Sequence, residues 1–147
     1  METLNRSDAL LKSTWAMDAD AVAQGVAEAR SDIASILQYN DENSLACAIY
    51  AAYASARAYY AKPIREFPTG RGFADIVYLP LRNMDCPALL IELKWNHSAQ
   101  GAIRQIKDKK YMDWLKSYTG DILFIAINYN KKKDTYDCII EKYKMDT

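Results

Sequence analysis

Two runs decide the reading: Phe73-Ala74-Asp75-Ile76-Val77-Tyr78-Leu79-Pro80 and, after a short loop, Pro87-Ala88-Leu89-Leu90-Ile91-Glu92-Leu93-Lys94-Trp95. Each is short, mostly apolar and bounded by glycine or proline, which suits a pair of strands forming a hairpin. Side chains alternate across a strand, so Leu90, Glu92 and Lys94 share one face while Leu89, Ile91, Leu93 and Trp95 share the other. Glu92 therefore sits inside an otherwise apolar strand. A carboxylate there must be paired, metal-bound or at a wet face, because burying it alone is too costly. Its neighbours are Lys94, two residues on, and Asp75, which interrupts the first run. Two acids on neighbouring strands repel unless a cation lies between them.

A hard divalent cation, Mg2+ or Mn2+, resolves that conflict, since it takes one or two carboxylates and leaves room for waters and a phosphate. Such an ion stabilises charge on a phosphate oxygen and makes a bound water more acidic. Lys94, on the Glu92 face, could position that water or stabilise the developing charge. The constellation suits phosphodiester hydrolysis. The plainer reading is an exposed face with an ordinary ion pair, worth little energetically. An acid-x-Lys triplet alone arises by chance in a chain this rich in charge. Asp108-Lys109-Lys110 also fits the pattern but falls in an expected helix, where residues two apart point to different sides.

Outward from the strand pair, Asn40-Asp41 supplies a helix-start signal, and Leu45, Ile49, Ala52, Tyr53, Ala56 and Tyr60 follow at three- and four-residue steps. A helix of about 18 residues is expected, ending near Lys62-Pro63 because proline disfavours helical geometry in the residue before it. Before it, Leu10, Leu11, Trp15, Val22, Val26, Ile33 and Leu37 recur at loosely helical spacing, giving one or two short helices. They either fold back on the domain or once packed against something absent. Pro68-Thr69-Gly70-Arg71-Gly72 reads as a turn. Beyond Trp95, Ala99, Ala102, Ile103, Ile106 and Trp114 give a helix over about 98–117, followed by strands at Ile122–Ile127 and Thr135–Ile140 around a polar turn at Asn130–Asp134. The fold class expected is α/β, a mixed central sheet flanked by helices.

The 147 residues make one domain's worth of protein, with 50% hydrophobic residues and only five Gly and four Pro. Disordered and collagenous classes are excluded. The 19 basic and 19 acidic residues balance, which removes the simplest argument for nucleic-acid binding. The balance hides an asymmetry, since residues 1–61 carry eight acids against four bases and the rest fifteen bases against eleven acids. Cys47, Cys86 and Cys138 are widely spaced with only His97 as a nitrogen ligand, which argues against a structural zinc site. No signal sequence opens the chain and no apolar stretch approaches a bilayer span, so a cytoplasmic setting without membrane attachment is expected.

The stretches Arg65 to Val77, Pro87 to Trp95 and Ala102-Ile103-Arg104-Gln105-Ile106-Lys107-Asp108-Lys109-Lys110-Tyr111 together resemble the PD-(D/E)XK nuclease superfamily. More narrowly, they look like the nuclease domain at the carboxyl end of bacterial AAA-ATPase-like proteins, with similarity from about Ser35 to Tyr143. The resemblance implies a restriction-endonuclease-like core over 39–147 preceded by a helical extension or connector at 1–38. It implies that Asp75, Glu92 and the Leu93 carbonyl hold the metal and that Lys94 is the catalytic lysine. Glu42 is the candidate for an added acid from the first core helix, or else compensates a helix dipole. Gln105 matches a glutamine that relatives place near the site, or else lies on a solvated helix flank. Ala74 replaces the proline before the first acid, and Tyr111 falls six residues after Gln105 rather than four, so it receives no role. The expectation is a Mg2+- or Mn2+-dependent nuclease acting on DNA, with an upstream AAA-ATPase-like partner, since no phosphate loop is present in the chain. A non-catalytic nucleic-acid-binding or regulatory module with the same fold is the alternative, and metal binding separates the two.

Overall fold

The computed structural model describes residues 2–34, 42–69, 72–95, 120–130 and 132–143. Helices α1 (Glu2–Trp15), α2 (Ala19–Ala34) and α3 (Glu42–Ala52) precede five strands: β1 (Ile64–Thr69), β2 (Gly72–Tyr78), β3 (Ala88–Trp95), β4 (Ile122–Asn130) and β5 (Thr135–Tyr143). The strands form one sheet in the order β1-β2-β3-β4-β5. Only β3 and β4 run parallel; the other neighbours are antiparallel. The expected mixed sheet with helices is present, and the expected helix at 98–117 lies outside the described residues.

Local chemistry explains the boundaries. α1 stops at Met17, whose φ of 62° lies in the left-handed region, while the Asp18 N–H donates to the Ser13 carbonyl and closes the helix end. Asp18 then caps α2, its Oδ1 accepting from the Ala21 N–H at 3.2 Å. α3 ends at Ala52, well short of Lys62-Pro63, and a 3-10 turn at Ala54–Ala58 follows. The change falls at Tyr53, whose φ of −102° and ψ of 30° leave the α region. Tyr53 and Tyr60 are thereby both placed in the core, 1% and 2% exposed.

The strand β1 was not expected. Its Pro68 lies within what reads as a turn, but proline is tolerated on an edge strand, and β1 is at the edge of the sheet. Thr69 pairs with Gly72, so β1 and β2 make a tight hairpin, and its loop residues Gly70 and Arg71 lie outside the described residues. Between β4 and β5, the Asn130–Asp134 segment turns as expected, with Asp134 at φ 51° and its carboxylate accepting from the Tyr129 hydroxyl at 2.8 Å.

β4 is buried along Ile122–Tyr129, as a central strand covered on both faces must be. On one face, Ile76, Leu89, Ile91, Leu123, Ile125 and Ile127 join Ile49 and Tyr53 of the α3 segment and Leu10, Leu11, Val22 and Val26 of α1 and α2 in a single core. Each such side chain contributes about 1.5–3 kcal/mol. The amino-terminal helices therefore fold back on the sheet. Polar contacts fix them there. Arg30 of α2 stacks 4.2 Å from the Tyr129 ring centre and donates from Nη1 to the Tyr136 hydroxyl at 2.7 Å, tying α2 to β4 and β5. Trp15 Nε1 donates to the Tyr60 hydroxyl, which in turn donates to the Pro87 carbonyl at 2.6 Å.

Thr14 spends its one hydroxyl proton on the Leu10 carbonyl at 2.8 Å, so the buried Tyr53 hydroxyl, 2.8 Å away, is the donor in their contact. Thr14→Val keeps the shape and strands that donor. A loss of about 1–3 kcal/mol is expected in urea unfolding, and an unchanged midpoint would contradict this view of the core.

The cysteines differ in a measurable way. Cys47 is exposed, whereas burial pushes the Cys138 thiol up to about 12. Since the thiolate is the nucleophile, alkylation of the native protein at pH 8 should modify Cys47 first and Cys138 last, read by mass spectrometry. Early labelling at Cys138 would show that its burial in the structure is wrong.

Candidate active site

The antiparallel register of β2 and β3 pairs Ile76 with Ile91, Val77 with Leu90 and Tyr78 with Leu89. Asp75 and Glu92 are the next residue on each strand beyond the Ile76–Ile91 pair. Ile91 belongs to the helix-packed core, so alternation puts its neighbour Glu92 on the opposite face. That face is apolar nearby, with Val77, Leu90, Phe124 and Ala126 all buried.

Glu92 is 4% exposed. Its Oε1 lies 3.8 Å from the Lys94 Nζ, an ion-pair distance longer than a hydrogen bond. Among the described residues Glu92 is the only polar partner of Lys94, whose side chain is 22% exposed. The ammonium thus keeps hydrogen-bond donors available and reaches solvent at the site. The exposed-face reading of Glu92 is overturned: the pair stands in a largely apolar, largely buried setting, where an ion pair is screened far less than at the surface. Leu93, between them, points to the helix-packed core, and its side chain is 6% exposed.

Sequence reasoning missed one position. The β1–β2 register pairs Arg65 with Ile76 and Phe67 with Ala74, which brackets Glu66 against Asp75. Glu66 and Asp75 therefore take facing positions on adjacent strands. The signal was hidden because Pro68 made this segment read as a turn. Asn128, fully buried, stands beside Lys94 in the β3–β4 register and is a second polar residue on this face that the sequence did not single out.

The other expected residues are placed only in part. Glu42 opens α3, but its side chain, like that of Asp75, is not described. Gln105, His97 and Tyr111 lie outside the described residues. Among the described residues no three His, Cys, Asp or Glu side chains gather as a cluster. The nearly buried Glu92 carboxylate nevertheless suits a hard cation, offering oxygen ligands on a face where the other described residues supply few polar groups.

The mixed sheet with its helices is consistent with a restriction-endonuclease-like α/β fold. Residues 40–138 match the family model of the PD-(D/E)XK nuclease superfamily, and the chain belongs to that superfamily. Its members are generally nucleases and typically use divalent metals such as Mg2+. Nucleic acid is thus the class of substrate that membership implies. Comparison with curated proteins and with solved structures gives no match. Among the described residues no helix is long and apolar enough to cross a membrane.

Proposed function

We propose that this protein is a metal-dependent nuclease that hydrolyses DNA phosphodiester bonds. The observation that carries the reading is the nearly buried Glu92 carboxylate on an apolar sheet face with the Lys94 ammonium 3.8 Å away, one residue past the β2–β3 pair that adjoins Asp75. Asp75, Glu92 and the Leu93 carbonyl would hold Mg2+ or Mn2+, with Glu42 as a further acid from the start of α3. When bound, the ion supplies charge stabilisation at the phosphate and a more acidic water.

The chain's own groups do the rest. Lys94 is anchored by the Glu92 ion pair and donates hydrogen bonds toward the attacking water or a non-bridging phosphate oxygen. The buried walls formed by Leu90, Phe124 and Ala126 exclude water around these charges and strengthen their interactions. Gln105 is assigned to positioning near the same phosphate. Residues 39–147 form the nuclease domain on this reading, residues 1–38 its helical extension, and an AAA-ATPase-like portion its upstream partner. A genomic neighbourhood without any ATPase sequence would count against that last assignment.

Plasmid and single-stranded DNA incubated with the full chain test the reading. Cleavage with Mg2+ or Mn2+ that stops on chelation is expected. No cleavage of either substrate with either ion would leave the non-catalytic module as the better account.

A further inference from the structure

A basic turn stands at the same end of the sheet as the candidate active site. β3 and β4 run parallel, with Lys94 beside Asn128 and Trp95 beside Tyr129. β4 continues to Asn130, which pairs with Thr135 of β5, and the turn between them carries Lys131-Lys132-Lys133-Asp134. Asn130 lies two residues, about 7 Å, beyond the level of Lys94, and adjacent strands are about 4.8 Å apart. The turn therefore begins roughly 10 Å from the Lys94 backbone.

Three observations separate this turn from an ordinary solvated face. Lys132 and Lys133 are exposed, neither forms an ion pair among the described residues, and the Asp134 carboxylate beside them is engaged by the Tyr129 hydroxyl. The turn is also held in place. Asn130 Oδ1 accepts from the Lys133 N–H at 3.2 Å, the Tyr129 and Tyr136 rings pack with centres 4.9 Å apart, and Arg30 lies over Tyr129. Its backbone thus has little freedom left to lose on binding. The helical layer, by contrast, is acidic: residues 2–34 carry six acids against three bases, and one of those bases, Arg30, is buried. A polyanion is repelled from that side and drawn to the end of the sheet.

We infer that the β4–β5 turn is a clamp for the nucleic-acid backbone, with Lys132 and Lys133 holding phosphates close to the one at Lys94. The inference rests on the nuclease reading for the place of the reacting phosphate. Each strand of a duplex carries one phosphate per about 3.4 Å of its axis, so a separation of roughly 10 Å puts these contacts within about three nucleotides of the reacting bond. A lysine ammonium is a compact point charge without the forked geometry that reads a base edge. The clamp therefore fixes the position of the strand and carries no sequence preference.

Fluorescence anisotropy of the full chain with a short labelled DNA strand and its duplex, in chelator, tests the clamp without requiring cleavage. Lys132→Ala/Lys133→Ala should weaken binding about tenfold and flatten the slope of log affinity against log salt by about 1.8 for the duplex or about 1.4 for the single strand. Arg57→Ala/Lys62→Ala removes the same charge from exposed positions at the opposite end of the sheet, where the Ala61 N–H bonds the Leu79 carbonyl, and should bind as the wild type does. Scrambled sequences should bind equally. No binding by the wild type, an unchanged salt slope in the double lysine variant, an equal loss in Arg57→Ala/Lys62→Ala, or polyglutamate bound as tightly as DNA would each overturn the inference. Absence of cleavage with the binding results intact would count against the nuclease reading and leave the clamp standing, and cleavage without them would do the reverse.

Discussion

Lys94→Ala is expected to lower metal-supported DNA cleavage by on the order of a hundredfold or more while leaving metal binding in place. The reasoning rests on where the ammonium stands. Lys94 shares a sheet face with Glu92, is anchored at 3.8 Å, and retains donors that no other described residue uses. Its removal takes away charge stabilisation at the reacting phosphate but no metal ligand. With only 22% of its side chain exposed, Lys94 is mostly buried beside Glu92, so Lys94→Ala should also lower the melting temperature, and the cleavage rates are compared well below it. Lys94→Arg keeps the charge but not its compact geometry and should recover only part of the rate. If Lys94→Ala cleaves as fast as wild type, the lysine has no part in the reaction. If it loses rate and metal binding together, its role is to shape the metal site instead.

The second large effect concerns Glu92. A ligand that binds the folded state at a hundred times its dissociation constant stabilises by about 2.7 kcal/mol. In a chain of this size that corresponds to a rise of roughly 5–10 °C in melting temperature. Mn2+ or Mg2+ should therefore raise the melting temperature of the wild type and fail to do so in Glu92→Gln. Each protein is compared with itself with and without the ion, so any change in the metal-free stability of the variant drops out. Asp75→Asn should behave likewise, since it removes the other carboxylate proposed to hold the ion. An undiminished shift in Glu92→Gln would place the ion elsewhere.

What could be read from the residues follows from how strongly each segment signals its period. β3 and β4 are long apolar runs, and the parallel pairing that joins them places every Leu and Ile of one beside an apolar residue or Ala of the other from Ala88↔Ile122 to Leu93↔Ile127. Such runs read as buried strands without help from a neighbour. Glu92 was legible for the same reason, as the acid that breaks the pattern. β1 was not, because an edge strand satisfies only one neighbour and so admits Pro68, which in isolation signals a turn. With β1 went Glu66, whose position depends entirely on the hairpin register. The end of α3 was misjudged because Tyr53, Ala56 and Tyr60 keep a helical spacing although the chain leaves the α region at Tyr53. In the 3-10 turn that follows, the same residues still reach the core, so the apolar spacing survives a change of helix type. The amino-terminal helices were ambiguous in sequence, and buried contacts such as Arg30 with Tyr129 and Tyr136 resolve them. No local pattern announces a pairing across a hundred residues.

The central claim is that Asp75 and Glu92 share a divalent cation. Anomalous diffraction from crystals of the full chain grown with Mn2+ tests it most directly. The account predicts a peak between the two carboxylates and beside the Leu93 carbonyl, at about 2.0–2.2 Å from their oxygens. An absent peak, or one remote from both residues, in crystals that also contain DNA would contradict it.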